Sequence, residues 1–75
     1  MSNQEENNMA QVIINGEEKS FQPPLKLYDC LAQEGVIEMM IAVARNGTVV
    51  PRGDYAQIFI EDGDSIEIVS PMQGG

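Results

Sequence analysis

The sequence predicts an α+β domain, a mixed sheet of four to five strands with one main helix packed across it. Three observations carry that reading. Two Asn-Gly dipeptides, Asn15-Gly16 and Asn46-Gly47, each stand between short runs of strand-forming residues, and Asn-Gly suits a tight hairpin because both central residues of a type I′ turn take positive φ. Between the hairpins, Pro23-Pro24 and Gly35 bracket a stretch with helical spacing. Near the end, Ile66-Glu67-Ile68 alternates apolar and polar residues after the turn Glu61-Asp62-Gly63-Asp64, the period of a strand with one covered face.

Taken in order, residues 1–9 begin with a polar, aperiodic run and are expected to form a disordered tail. Residues 10–69 form the domain. Ala10 to Asn15 reads as a strand with Val12 and Ile14 on one face. Gly16 and Glu17 make the turn, and Lys19 to Gln22 returns. After the two prolines, Leu27 and Leu31, with Tyr28 beside them, define the apolar face of a helix of about ten residues that ends at Gly35. In Met39 to Arg45, Ile41 and Val43 point one way, Ala42 and Ala44 the other. Thr48 to Val50 pairs back across Asn46-Gly47, Pro51 stops that strand, and Asp54 is placed to cap a brief helical turn through Tyr55 and Ala56. Ser65 to Val69 closes the sheet, and residues 70–75 are expected to form a flexible tail ending in Gly74-Gly75.

Composition narrows the chemistry. Seventy-five residues sustain one small core. Four Lys plus Arg against twelve Asp plus Glu, a net charge of −8, is the wrong sign for neutralising nucleic-acid phosphates and favours a basic partner surface. With a mean hydropathy of −0.18 and no apolar run near the roughly 18 residues of a membrane span, a soluble globule is expected, and no membrane partner. One cysteine, Cys30, and no histidine exclude an intramolecular disulfide, a Cys/His zinc site and a Ser-His-Asp triad. The N-terminus lacks the features of a secretory signal, so a cytoplasmic location with a reduced thiol is expected. Cys30 reads as a buried structural thiol. Glu61, Asp62 and Asp64 read as turn residues, too few for a calcium loop, and no resident metal is expected.

The end of the chain carries the reactive feature. Two glycines form a stem without side chains that can enter a narrow channel in another protein. A terminal carboxylate on Gly75, whose ordinary pKa is about 3.5, is ionised at neutral pH and can attack the α-phosphate of ATP to give an acyl-adenylate open to sulfur or an amine. The alternative is an incidental terminus.

With the strand order, the segments Ala42-Val43-Ala44-Arg45-Asn46-Gly47-Thr48-Val49-Val50-Pro51-Arg52, Tyr55-Ala56, Asp62 through Val69 and Gly74-Gly75 resemble the ThiS family of sulfur carrier proteins in thiamine thiazole biosynthesis, ubiquitin-like proteins of the β-grasp fold. The Asn-Gly-x-Val-Val-Pro-Arg segment and the Asp-Gly-Asp turn carry most of the resemblance, which covers residues 10–75. The N-terminal tail and Arg45, where an apolar strand residue is common, depart from the family pattern. The resemblance implies a monomeric carrier and not a catalyst. A partner adenylyltransferase of the ubiquitin-activating type uses ATP to activate Gly75, a persulfide donor converts it to a thiocarboxylate, and thiazole synthase accepts the sulfur. Gly74 is the required neighbour, Met72 and Gln73 belong to the tail, and no cofactor belongs to the chain itself. Rival readings are a carrier for molybdopterin or another sulfur-containing product, a protein modifier joined to lysines, and a plain binding module.

If the alternation holds, Ala42, Ala44, Glu67 and Val69 share the sheet face opposite the helix, with Ile13 or Phe59 as an apolar anchor, and that face is expected to dock the activating enzyme. The alternative is a merely solvated face.

Overall fold

A computed structural model of the chain describes residues 8–70. The expectations for residues 1–7 and for the tail from Pro71 onward, Met72, Gln73, Gly74 and Gly75 included, lie outside the described residues. Among those described, no helix is long and apolar enough to cross a membrane.

The elements follow the expected order: β1 (Ala10–Ile14), β2 (Glu17–Phe21), α1 (Leu27–Gln33), β3 (Ala42–Arg45), β4 (Thr48–Val50), a 3-10 helix (Arg52–Gln57) and β5 (Asp64–Val69). They form one five-stranded sheet in the order β2-β1-β5-β3-β4. The β1–β5 pair is parallel and every other pair antiparallel, so the sheet is mixed. β5, the last strand among the described residues, lies at its centre, between β1 and β3.

Both hairpins close as their dipeptides require. Asn15 and Gly16 take φ of 51° and 88°, Asn46 and Gly47 take 51° and 85°, the positive pair of a type I′ turn. Because two residues suffice for the first turn, Glu17 belongs to β2 and pairs with Ile14, correcting its expected place in the turn. Gly63, φ 90°, fills the third position of the Glu61–Asp64 turn, whose Asp64 N–H donates to the Glu61 carbonyl at 3.0 Å, as a type II turn demands.

The core lies between one sheet face and α1. Ala10, Val12 and Ile14 of β1, Val43 of β3, Val50 of β4 and Ile66 of β5 are buried against Leu27, Cys30 and Leu31 of the helix, with Tyr55 and Ile60 filling the end. The helix has seven residues, not ten. Gly35, at φ 80°, terminates it, with the Glu34 and Gly35 N–H groups donating to the Cys30 and Ala32 carbonyls. So short a helix buries a narrow stripe, and at about 100° per residue that stripe is the i, i+3, i+4 set Leu27, Cys30 and Leu31. Tyr28, expected beside it, is turned out and is 46% exposed.

Two further expectations are corrected. β3 begins at Ala42, and Met39 and Met40 ahead of it are exposed. Asp54 does not cap: it sits inside the 3-10 helix, whose N-cap is Pro51 with no side-chain cap hydrogen bond. The missing proline N–H is one the helix start leaves unused, so the turn begins at the proline and takes Asp54 into its interior.

Candidate functional site

Strand register decides which residues share a face with the end of β5. Ala42 pairs with Val69, Ala44 with Glu67 and with Val49 on its other side. Registered partners share a face, so Val49, Ala44 and Glu67 form one row across β4, β3 and β5, and Ala42 and Val69 form the next. This is the face opposite α1, because the alternate residues Val43, Val50 and Ile66 are buried. The four strand residues expected to share it are together. Ile13, half-buried on β1 between Val12 and Ile14, lies on the same face opposite Ser65.

Val49 completes that surface and is 71% exposed, with Val69 at 59%. Its signal was present in the sequence: if Val50 points inward, Val49 must point outward. Phe59, expected as an anchor, is not in the sheet. It bridges to Lys26 in the segment before α1, where the Leu27 N–H donates to the Ile58 carbonyl and the Ile60 N–H to the Leu25 carbonyl. Its ring lies under the Lys26 ammonium at 5.8 Å. Phe59 precedes β5, and this isolated bridge, not the sheet, positions it.

Electrostatics set the character of the surface. Each of the four cations has an internal partner. Lys19 pairs with Glu34 at 3.3 Å and Arg45 with Asp64 at 2.9 Å. Arg52 donates to the Ile37 carbonyl at 2.8 Å and lies over Tyr55, and Lys26 sits on Phe59. Among the described residues most carboxylates face water, Glu17, Glu18, Glu61 and Glu67 included, and the outer surface is acidic. An open groove of about 300 Å³ between the β3–β4 hairpin and the 3-10 helix includes Arg45, Asn46, Thr48 and Asp54 in its lining. Its guanidinium is already committed to Asp64, so the groove offers little to a phosphate.

The departure at Arg45 has a structural partner. Asp64 is 6% exposed and accepts from Arg45 Nε at 2.9 Å, Asn46 Nδ2 at 3.0 Å and the Glu61 N–H at 2.8 Å. Burial by itself would raise its pKa, but the Glu61, Asn46 and Arg45 donors outweigh that and hold the carboxyl below the ordinary aspartate value. Arg45 Nη2 also reaches the Phe59 carbonyl at 3.2 Å. Asp62 accepts the Gln11 N–H at 2.8 Å, so the acidic turn serves to lock β1 and β3 onto β5. Cys30 is buried, and burial, with a smaller contribution from Glu34, pushes its thiol up, away from the thiolate needed for reactivity.

A five-stranded mixed sheet with a parallel central pair, one helix across a single face and the last strand at the centre defines a ubiquitin-like β-grasp domain. The ThiS family model matches residues 12–75, and the chain belongs to that family. Its structure is similar to the crystal structure of the thiamine biosynthesis protein ThiS from Geobacter metallireducens, with a TM-score of 0.73 and 25% identity, covering 87% of this chain and 99% of that one. In sequence it is 41% identical over 64 residues, 85% of its length, to a thiazole synthase of Paramagnetospirillum magneticum. The chain spans 20% of the length of that relative.

Proposed function

We propose that this chain is a sulfur carrier for thiamine thiazole synthesis, acting in the cytoplasm as a substrate of other enzymes and not as a catalyst. The carboxylate oxygen of Gly75 attacks the α-phosphorus of ATP on an adenylyltransferase of the ubiquitin-activating type, and pyrophosphate leaves. The terminal sulfur of a persulfide donor then attacks the acyl carbon and AMP departs. A second thiol cleaves the resulting S–S bond, forming a disulfide with the donor sulfur and leaving a thiocarboxylate on Gly75. Thiazole synthase takes that sulfur.

The observation that carries this reading is the reach of the family match, which runs through Gly74 to Gly75, combined with a central strand that leads toward that end. The relative named thiazole synthase supports the acceptor: its similar stretch is a fifth of its length, so a domain like this one shares a polypeptide with a larger remainder. ATP belongs to the partner, and the chain contributes no cofactor of its own. The face formed by Ala42, Ala44, Val49, Glu67 and Val69 is the proposed docking surface. Its exposed valines supply apolar contact beside the tail's root, and the acidic surround steers toward a basic partner.

Intact-mass analysis after incubation with the activating enzyme, ATP and a persulfide donor tests the proposal. The expected gain is about 16 Da, sulfur in place of oxygen, and it should vanish when Gly75 is deleted. Activation that survives the deletion would refute the carrier role, and covalent attachment to lysines of larger proteins would make the chain a modifier. Ala44→Arg should raise KM for activation while leaving Tm unchanged; an unchanged KM removes the docking face from the account.

A further inference from the structure

The parallel ladder between β1 and β5 ends at Ile14 and Ile66, yet β5 continues to Val69. Along a strand, the N–H and C=O of one residue point to the same side and those of the next to the other. The Ile66 carbonyl accepts from the Asn15 N–H at 2.9 Å, so the main-chain groups of Ile66 and Ile68 both face the β1 side. At Ile68 that side has no strand left, because the chain has turned at Asn15-Gly16. The gap is filled by a side chain: Asn15 Oδ1 accepts the Ile68 N–H at 2.7 Å. Asn46 does the equivalent from the other hairpin, its Oδ1 accepting the Ser65 N–H at 2.9 Å. Each asparagine thus forms its turn through positive φ and braces β5 through its amide, and the Asn15 brace lies one residue before Val69.

We infer that Asn15 is a positioning residue for activation of the tail, an inference that rests on the carrier reading. It extends the ladder where β1 runs out, keeps Val69 in register with Ala42 on the docking face, and carries the two-sided hydrogen bonding of β5 as far as Ile68. Without the brace, Ile68 and Val69 are held on the β3 side alone, and each opening removes Val69 from the face presented to the enzyme.

Asn15→Gly removes the acceptor while keeping a type I′ turn, which Gly-Gly also suits, and the Asn15→Asp arm below separates the acceptor from glycine's added backbone freedom. A hydrogen bond of ordinary strength corresponds to about a fivefold change in a local opening equilibrium, so the Ile68 amide should exchange with deuterium about fivefold faster. KM for the adenylyltransferase should rise by at most the same factor with kcat unchanged, since docking re-forms the strand end against β3. Asn15→Asp, which tolerates positive φ and keeps the oxygen acceptor, should restore both values. A merely structural role would lower Tm without splitting KM from kcat. If the wild-type chain is activated and Asn15→Gly leaves either Ile68 exchange or KM unchanged, this inference is overturned and the carrier reading stands. If the wild-type chain is not activated at all, the carrier reading fails.

Discussion

Replacing Asp64 with Ala tests the connection between the last strand and the rest of the sheet. The carboxylate is 6% exposed and receives three hydrogen bonds of 2.8 to 3.0 Å, from Glu61, Asn46 and Arg45. At about 1 kcal/mol for each bond lost, truncation costs about 3 kcal/mol. The charge on Arg45 adds little, because its side chain is 28% exposed and regains water when the partner is removed. For a domain of this size about 3 kcal/mol corresponds to a fall in Tm of roughly 12–24 °C. Thermal and urea denaturation followed by far-UV circular dichroism measure it. A second arm varies pH. The folded pKa of Asp64 lies below its ordinary value, so the stability it contributes is complete above the unfolded value of about 3.9 and is lost as pH falls through the folded value. The gap between wild type and Asp64→Ala should be constant near neutrality and begin to narrow as pH falls below about 4, toward the folded value. A cost under about 1 kcal/mol at neutral pH would refute the reasoning, because it would mean that water replaces the network without penalty.

Two other outcomes follow from the core. Leu31 is fully buried, and Leu31→Ala should cost about 2–5 kcal/mol, enough in so small a domain to populate the unfolded state in mild urea; a cost under about 1 kcal/mol would contradict the packing. Cys30, 3% exposed with its thiol pKa raised, should react with an aromatic disulfide reagent only as fast as the domain opens, far more slowly than in denaturant. Equal rates in the two conditions would place the thiol at the surface.

Much of the fold was legible because its signals are local. Asn-Gly demands positive φ wherever it falls, Gly35 and the prolines bound the helix, and the Ile66-Glu67-Ile68 alternation assigns one face inward. The same alternation placed Ala42, Ala44, Glu67 and Val69 together and contained the means to add Val49. The errors lie where local rules compete. Tyr28 is adjacent to Leu27 in sequence, but a seven-residue helix has room for only one narrow buried stripe. Phe59 is a large apolar residue, but its neighbours Ile58 and Ile60 bond to the segment before the helix and its ring lies under the Lys26 ammonium.

By itself the sequence determined the element order, the two hairpin turns, the inward facing of Val12, Ile14, Leu27, Leu31, Val43 and Ile66, and a resemblance that reaches Gly75, since each depends on residue type and short-range spacing. The tertiary structure decided that the last strand lies at the centre of the sheet, that Arg45 meets a buried Asp64, and that Asn15 and Asn46 brace β5 through their side chains. Those contacts join residues 18 to 53 positions apart. No local pattern encodes such pairings, because they exist only once strand order and register bring the two hairpins to either side of β5.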